Sequence, residues 1–426
     1  MQNQIPKNWQ QESLEKLLDL IIDNRGKTPK KLGGDWSLSG IPALSAKNIK
    51  GGQIVSEQDI RFINERLYVR WMPEKLDAGD ILLTSEAPLG ELFYLKVKRD
   101  YVLSQRLFAL RANKSKLNSR YLYYYLQSSV GRHELMRRLS GTAAEGIRQA
   151  ELRKIQVSFP NDINQQRQIA YVLSAFDDKI EVNNKIAKTL EEIAQAIFKE
   201  WFIKFRFPGW KKIELVTSEL GKIPKSWEVK KIKDVATINK GISYSSKEIE
   251  ENPSGIPMIN LANFQRGGGF NLAGIKFFTG KYKSANLVKP GDIVIAMTDL
   301  TSNREVIGHP ARVPSYSHWG KILISLDVCS TETDDLYVEF LYYLMLRKEF
   351  SYLMASSAGG TNVSHLSKSA IENYTFLLPE KKIIKQFKDF VKPIFSQVNT
   401  LEIENQKLAE TRDLLLPKLM RGELRV

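Results

Sequence analysis

Two stretches of this chain carry an apolar residue at every third or fourth position, over a length that no single globular core can absorb. In the first, Ile169, Val172, Phe176, Ile180, Asn183, Ile186, Leu190, Ile193, Ile197 and Trp201 fall in step. In the second, Ile384, Phe387, Val391, Ile394, Val398, Leu401, Asn405, Leu408, Arg412 and Leu415 keep a 3-4 alternation. This spacing is the seam of a coiled coil. Each helix is about 35–40 residues long, or roughly 50–60 Å at ~1.5 Å per residue. Neither seam is stable in water, and the nearest partner for each is the other. Antiparallel packing is expected, with a globular part at each end of a rod and an internal pseudo-twofold axis.

The helical phrase is also written twice. "NNKIAKTLEEIA" (183–194) returns as "NQKLAETRDLLL" (405–416), with Asn183 on Asn405. An asparagine on a seam costs stability and fixes register and orientation. The plainer alternative is a satisfied polar pair at a frayed position. The rest of the chain repeats in the same order. "GIPALSAKNIKGGQI" (40–54) matches "GIPMINLANFQRGGGF" (255–270), and "LDAGDILLT" (76–84) matches "VKPGDIVIAMT" (288–298). "YLYYYLQSS" (121–129) matches "FLYYLMLRK" (340–348), and "SGTAAEGIRQAELRKIQVSFP" (140–160) matches "GGTNVSHLSKSAIENYTFLLP" (359–379). Short β-rich runs punctuated by Gly and Pro, such as "DILLT", "RLFAL", "DIVIAM" and "KILISL", surround one amphipathic helix in each half. The expected class is α+β with mixed or largely antiparallel sheets. The expected domains are 1–160 and 206–379, with spacer helices over 161–205 and 380–426.

Charge narrows the partners. Lys and Arg outnumber Asp and Glu to give a net charge of +15, which favours polyanions: nucleic acid or an anionic membrane surface. No apolar run approaches the ~18 residues of a membrane span, and the N-terminus has no apolar signal core. The single cysteine, Cys329, excludes a disulfide framework and fits a reducing cytosol. A cytoplasmic location is expected.

Catalytic constellations are sparse. "NPSG" (252–255) lacks the second Pro and the aromatic of an amino-methyltransferase loop, and "EVK" (228–230) offers a nuclease-like Glu-x-Lys with no partnered Asp. "RGGGF" (266–270) lacks the Lys-Ser/Thr of a phosphate loop, and His133, His309, His318 and His365 show no ligand spacing. No serine nucleophile elbow occurs. No metal and no cofactor are expected on the chain.

These blocks, in this order and written twice, resemble the specificity subunit of type I restriction–modification systems over the whole length. "IPKSWEVKKIKDVA" opening the second half and "LLLPKLMRGEL" closing the chain add to the resemblance. It implies two target-recognition domains, each reading half of a bipartite double-stranded DNA site. It implies central and C-terminal helices that dock two methyltransferase subunits, with restriction–translocase subunits joining the assembly. S-adenosylmethionine would then sit on the methyltransferase subunit. A stand-alone DNA-modifying enzyme and a coiled-coil scaffold that never touches DNA are the competing readings. The first needs an acidic cluster or cofactor loop, and the second leaves the charge and the duplicated loops unexplained.

Base edges are read by Arg or Lys on guanine and Asn or Gln on adenine, while phosphate contacts only position the protein. Loop residues of those types supply the candidates. In the first half they are Lys27, Thr28, Lys47, Asn48, Lys50, Ser85, Glu86, Gln105, Arg106, Thr142 and Arg148. In the second they are Lys240, Asn260, Asn263, Arg266, Thr298, Thr301, Asn303, Arg304, Thr361 and Asn362. The tyrosines of "YLYYYL" could stack bases or fill a core, and their repeat at Tyr342 and Tyr343 on an apolar face favours the core. The purified chain alone is expected to neither methylate nor cut DNA. Methyl transfer from labelled S-adenosylmethionine by this polypeptide free of partners would refute that expectation.

Overall fold

A computed structural model describes residues 6–139, 145–250, 255–266, 268–299, 304–315, 319–360 and 363–426. By internal contacts the chain forms two compact units, Met1–Ile180 with Gln406–Val426, and Glu181–Asn405. The division runs through both long helices, Ile163–Phe198 and Lys381–Met420. Each unit therefore contains a segment of both.

In the first unit the main sheet has four antiparallel strands in the order Leu18–Asp23, Leu107–Ala112, Ile81–Ser85 and Leu89–Tyr94. A smaller sheet sets Ile41–Leu44 between antiparallel Arg61–Ile63 and parallel Val102–Leu103. Trp9–Ser13 pairs with Gln156–Pro160, so the end of the globular part closes on its beginning. The second unit repeats this plan. Ala236–Lys240, Val328–Thr333, Ile293–Ala296 and Pro310–Arg312 form the four-stranded antiparallel sheet. Ile256–Ile259 lies between antiparallel Lys276–Phe278 and parallel Ile322–Ile324. Glu228–Lys231 pairs with Thr375–Leu378. The duplicated sequence is thus a duplicated topology, in both cases a mixed α+β fold.

The "GDI" blocks show why the copies fold alike. Gly79 and Gly291 adopt φ of 93° and 89°, a region that side chains with a Cβ avoid. The following aspartate folds back over the turn. Asp80 Oδ2 accepts from Asp77 N at 2.8 Å, and Asp292 Oδ2 accepts from Lys289 N at 2.9 Å. Only then does the apolar strand run into the core, where Ile81, Leu82, Ile293 and Val294 are buried.

Each unit packs its helical segments on its own tyrosine-rich helix. In the first unit, Tyr121 to Leu126 share a core with Ile169, Leu173, Leu416 and Leu419. The tyrosine hydroxyls find internal acceptors: Tyr121 donates to Ser158 O, Tyr125 to Gln156 O and Tyr124 to Asp177. These rings are core, not a stacking platform. The Asp177 carboxylate also takes the guanidinium of Arg412, which joins the two helical segments of this unit. In the second unit, Phe202 lies 4.9 Å from Phe387 and 5.0 Å from Phe340, centroid to centroid, in edge-on contacts. A π-helical turn over Lys199–Ile203, closed by Lys204 N on Lys199 O, holds Phe198 and Phe202 in this core together. Trp201 meets Phe387 as Asn183 meets Asn405, so the helical segments of this unit run antiparallel.

Asn183 is fully buried. Its amide donates to Asn405 Oδ1 and to Glu404 Oε2, both at 2.8 Å, and Asn405 donates in turn to Asn184 Oδ1. Replacing Asn183 by Leu should lower stability by about 1–3 kcal/mol, because Asn405 and Glu404 lose their buried donor. The Asn183→Leu/Asn405→Leu double variant should recover part of that loss. Urea unfolding of the three proteins is the measurement, and a single variant as stable as the parent would count against this account.

Candidate nucleic-acid interface

In the first unit, strands Leu18–Asp23 and Ile81–Ser85 end, and Leu107–Ala112 begins, at one edge of the four-stranded sheet. The loops carrying the candidate residues leave from that edge and are tied to one another through the backbone. Ser85 N donates to Arg106 O at 2.8 Å, Ile147 N to Ser85 O at 3.0 Å and Ala46 N to Gln105 O at 3.1 Å. Segments far apart in sequence therefore meet, 45–48, 85–87, 104–106 and 146–148, and the Arg25 guanidinium joins the loop after the first strand to them by donating to Ile147 O at 3.3 Å.

They enclose a cleft of about 190 Å³ lined by Lys27, Thr28, Lys47, Asn48, Gln105 and Arg106 among others. Its apolar wall is Trp36 and Trp71, whose rings lie 6.1 Å apart, with the Arg61 guanidinium 4.5 Å over Trp36. Trp36, Arg61 and Trp71 are absent from the sequence-derived set. The available signal was weak: a lone Trp beside two glycines, and a strand arginine that reads as a solvated edge.

Lys47, Lys50, Gln105, Arg106 and Arg148 are exposed. Lys27 is half-buried and donates from Nζ to Trp71 O at 2.8 Å, and burial lowers its pKa from the usual lysine value. Thr28 is half-buried too, its hydroxyl accepting from Lys31 N. Glu86 faces Arg106, with Oε1 3.4 Å from Nε. Ser85 is buried and presents no group to solvent.

Asn48 is a correction. It is fully buried, and its Oδ1 accepts from Ser45 N at 3.0 Å while its amide reaches Val55 O. In the second unit Asn263 does the same, accepting from Asn260 N at 2.9 Å and donating to Asn271 O at 2.8 Å. Asn260 donates to Gly274 O and accepts from Ala262 N. These three amides are internal staples of a short helical turn. Adenine reading needs both amide atoms at the surface, so they leave the set of readers.

The second unit builds the same edge. Met297 N donates to Asp327 O, Leu366 N to Met297 O and Ser325 N to Ile259 O. Lys240, at the end of its strand, and Arg266 are exposed, and Arg266 pairs with Glu305 at 2.9 Å. Thr298 is buried and donates to Asp327 Oδ1, which removes its hydroxyl from direct reading. Arg304 is a further correction. Its backbone has φ of 52°, and its guanidinium donates to Ser364 Oγ at 3.0 Å and to Ala355 O at 2.6 Å. Its guanidinium is taken up internally rather than reaching for a base. Thr142, Thr301, Asn303, Thr361 and Asn362 lie outside the described residues.

Among the described residues no group of three or more His, Cys, Asp or Glu could hold a metal ion, and no helix is long and apolar enough to cross a membrane. Cys329 is buried in the second sheet, and burial pushes its thiol up to about 12, so it is a core residue rather than a nucleophile.

A polar loop edge built twice on one fold defines a duplicated module whose exposed side chains differ between the copies. The family model of the type I restriction modification DNA specificity domain matches residues 6–192 and again 224–411. The chain belongs to that family. It is 28% identical to the type I restriction enzyme MjaIX specificity subunit of Methanocaldococcus jannaschii, over 99% of this chain and 95% of that one. It is 25% identical to the HindI specificity subunit of Haemophilus influenzae, over 81% and 86%. Among solved structures, the type I restriction–modification S subunit of M. genitalium shares the fold with a TM-score of 0.55 at 16% identity, covering 98% of this chain and 97% of that one.

The staple reassignment is testable. Asn48→Ala and Asn263→Ala should each cost about 1–3 kcal/mol of stability by orphaning buried backbone donors and acceptors. Neither should change which base is preferred at any position. Arg304→Ala should likewise weaken binding to all sequences together. Denaturant titration and binding to single-base variants of the target are the readouts. A selective loss of one base preference would return the residue to the reading set.

Proposed function

We propose that the chain is the sequence-reading subunit of a type I restriction–modification complex and that each unit reads one half of a bipartite, asymmetric DNA site. The single observation that carries this is the loop edge. Backbone hydrogen bonds of that edge recur in both units, Ser85 N to Arg106 O as Met297 N to Asp327 O and Ile147 N to Ser85 O as Leu366 N to Met297 O, while the side chains mounted on them differ. One scaffold with two chemistries is what two different half-sites require. The net charge of +15 supports the nonspecific part of the affinity through counterion release.

In this reading the long helices set the unread gap and dock two methyltransferase subunits, and restriction–translocase subunits complete the complex. S-adenosylmethionine belongs to the methyltransferase subunits, and the chain supplies the address but no bond-making step. The scaffold alternative uses the helices alone and gives no role to the two loop edges.

Methylome sequencing of a strain with and without this chain tests the proposal. A bipartite motif that disappears with the chain supports it, and an unchanged methylome overturns it. Removing one heptad from each of 176–196 and 398–418 should then shorten the unread gap by about 10 Å of helix, or about three base pairs at ~3.4 Å each. Both half-sites should stay the same. Unaltered spacing would show that the helices are not the ruler.

A further inference from the structure

The two units correspond residue for residue around one short segment between sheets. In the first unit Leu103 pairs with Leu44 and Leu107 with Thr84. Between them, Ser104 N donates to Leu44 O, and Ser85 N to Arg106 O, both at 2.8 Å. In the second, Ile324 pairs with Ile259 and Val328 with Ala296. Ser325 N donates to Ile259 O, and Met297 N to Asp327 O, again at 2.8 Å. The segments are equal in length, so the correspondence is forced: Gln105 with Leu326, Arg106 with Asp327, and on the facing strand end Glu86 with Thr298.

The side chains at these corresponding positions touch within each unit. Arg106 Nε lies 3.4 Å from Glu86 Oε1, and Thr298 Oγ1 donates to Asp327 Oδ1 at 2.9 Å. The first unit therefore presents a guanidinium, its side chain 48% exposed, where the second presents a carboxylate. Charge is inverted at one fixed place on a common backbone. Beside it, exposed Gln105 is replaced by Leu326, which is 51% exposed.

We propose that this position discriminates a base in each unit, and that Asp327 is a specificity-determining residue of the second. The proposal rests on the DNA-reading function stated above. A carboxylate is repelled by phosphate, so it contributes nothing to backbone binding on a basic protein. Its match in the major groove is a base amino group, and cytosine N4 is the edge that Asp or Glu reads. Arg106 carries the opposite chemistry, with donors for guanine O6 and N7. Thr298 holds one carboxylate oxygen and so sets the plane in which Asp327 meets its donor. Glu86 plays the same orienting part for Arg106.

The test replaces the native copy by single variants and reads both the methylome and the binding of purified full-length chain to duplexes changed at each position of the motif. Asp327→Asn, nearly isosteric, should relax one C·G pair in one half-site, with discrimination there falling by about tenfold or more. Thr298→Val should weaken selectivity at the same pair to a smaller extent. Arg106→Gln should relax one G·C pair in the other half-site. The inference is overturned if Asp327→Asn keeps every base preference, if it weakens all duplexes equally, or if Asp327→Asn and Arg106→Gln alter the same half. A variant that methylates nothing is judged by the duplex titration alone. Loss of the bipartite motif as a property of the parent chain would instead refute the function proposed above, so the two failures are separable.

Discussion

A 36-residue helix with an apolar seam has to be covered along its whole length, and this requirement organises both units. Helical propensity alone does not hold such a seam in water. In the first unit the cover comes from Leu416, Leu419 and the row Tyr121 to Leu126. In the second it comes from Phe340, Tyr343, Phe387 and Val391 around Phe198 and Phe202. Each fully buried aromatic of this kind contributes about 1.5–3 kcal/mol by leaving water, so the clusters are strong enough to bind a helix to a globular part. Where polar groups enter the seam they arrive with partners, as in Tyr124, Asp177 and Arg412, or Asn183 and Asn405. A seam built this way has few alternative registers, because sliding by one turn would strand each of these groups in an apolar environment.

The loops at the sheet edge depend on the same economy. In the proposed function these loops form the reading surface, and such a surface must be rigid, since a base edge is recognised only if donors and acceptors are already in place. Here rigidity comes from side chains folded back on backbone. Asp80 and Asp292 close the turns before the central strands, and Asn48, Asn260 and Asn263 hold the short helical turns. The Arg304 guanidinium is likewise held by Ser364 and Ala355. With conformation settled from beneath, the exposed positions can vary without unfolding the module. That freedom is what the proposed reading of two different half-sites on one scaffold requires.

Duplication, the α+β pattern, the seams and the basic balance were all present in the order of residues, because periodicity and turn chemistry are local and written along the chain. The sequence marked loops at strand ends by composition, in "GDI", "GIP" and "LSQRLF", but not that those of one unit gather at one edge of its sheet, which the pairing of the strands decides. What local pattern could not decide was the direction of individual side chains. Asn48 and Lys47 are neighbouring polar residues that both suit a base-reading loop, yet one is buried and the other exposed. The difference comes from Ser45 and Val55, which the fold brings to the amide. The correspondence of Arg106 with Asp327 was hidden for the same reason. "SQR" and "SLD" share too little to align, and only the paired strands on either side fix their register. Sequence by itself determined that there are two like modules joined to long helices. Tertiary structure decided which polar groups are consumed in holding each module and which remain at its surface, because that choice depends on how each turn closes, as at Asn48 and Asn263, and on acceptors contributed by distant segments, as for Lys27 and Arg304.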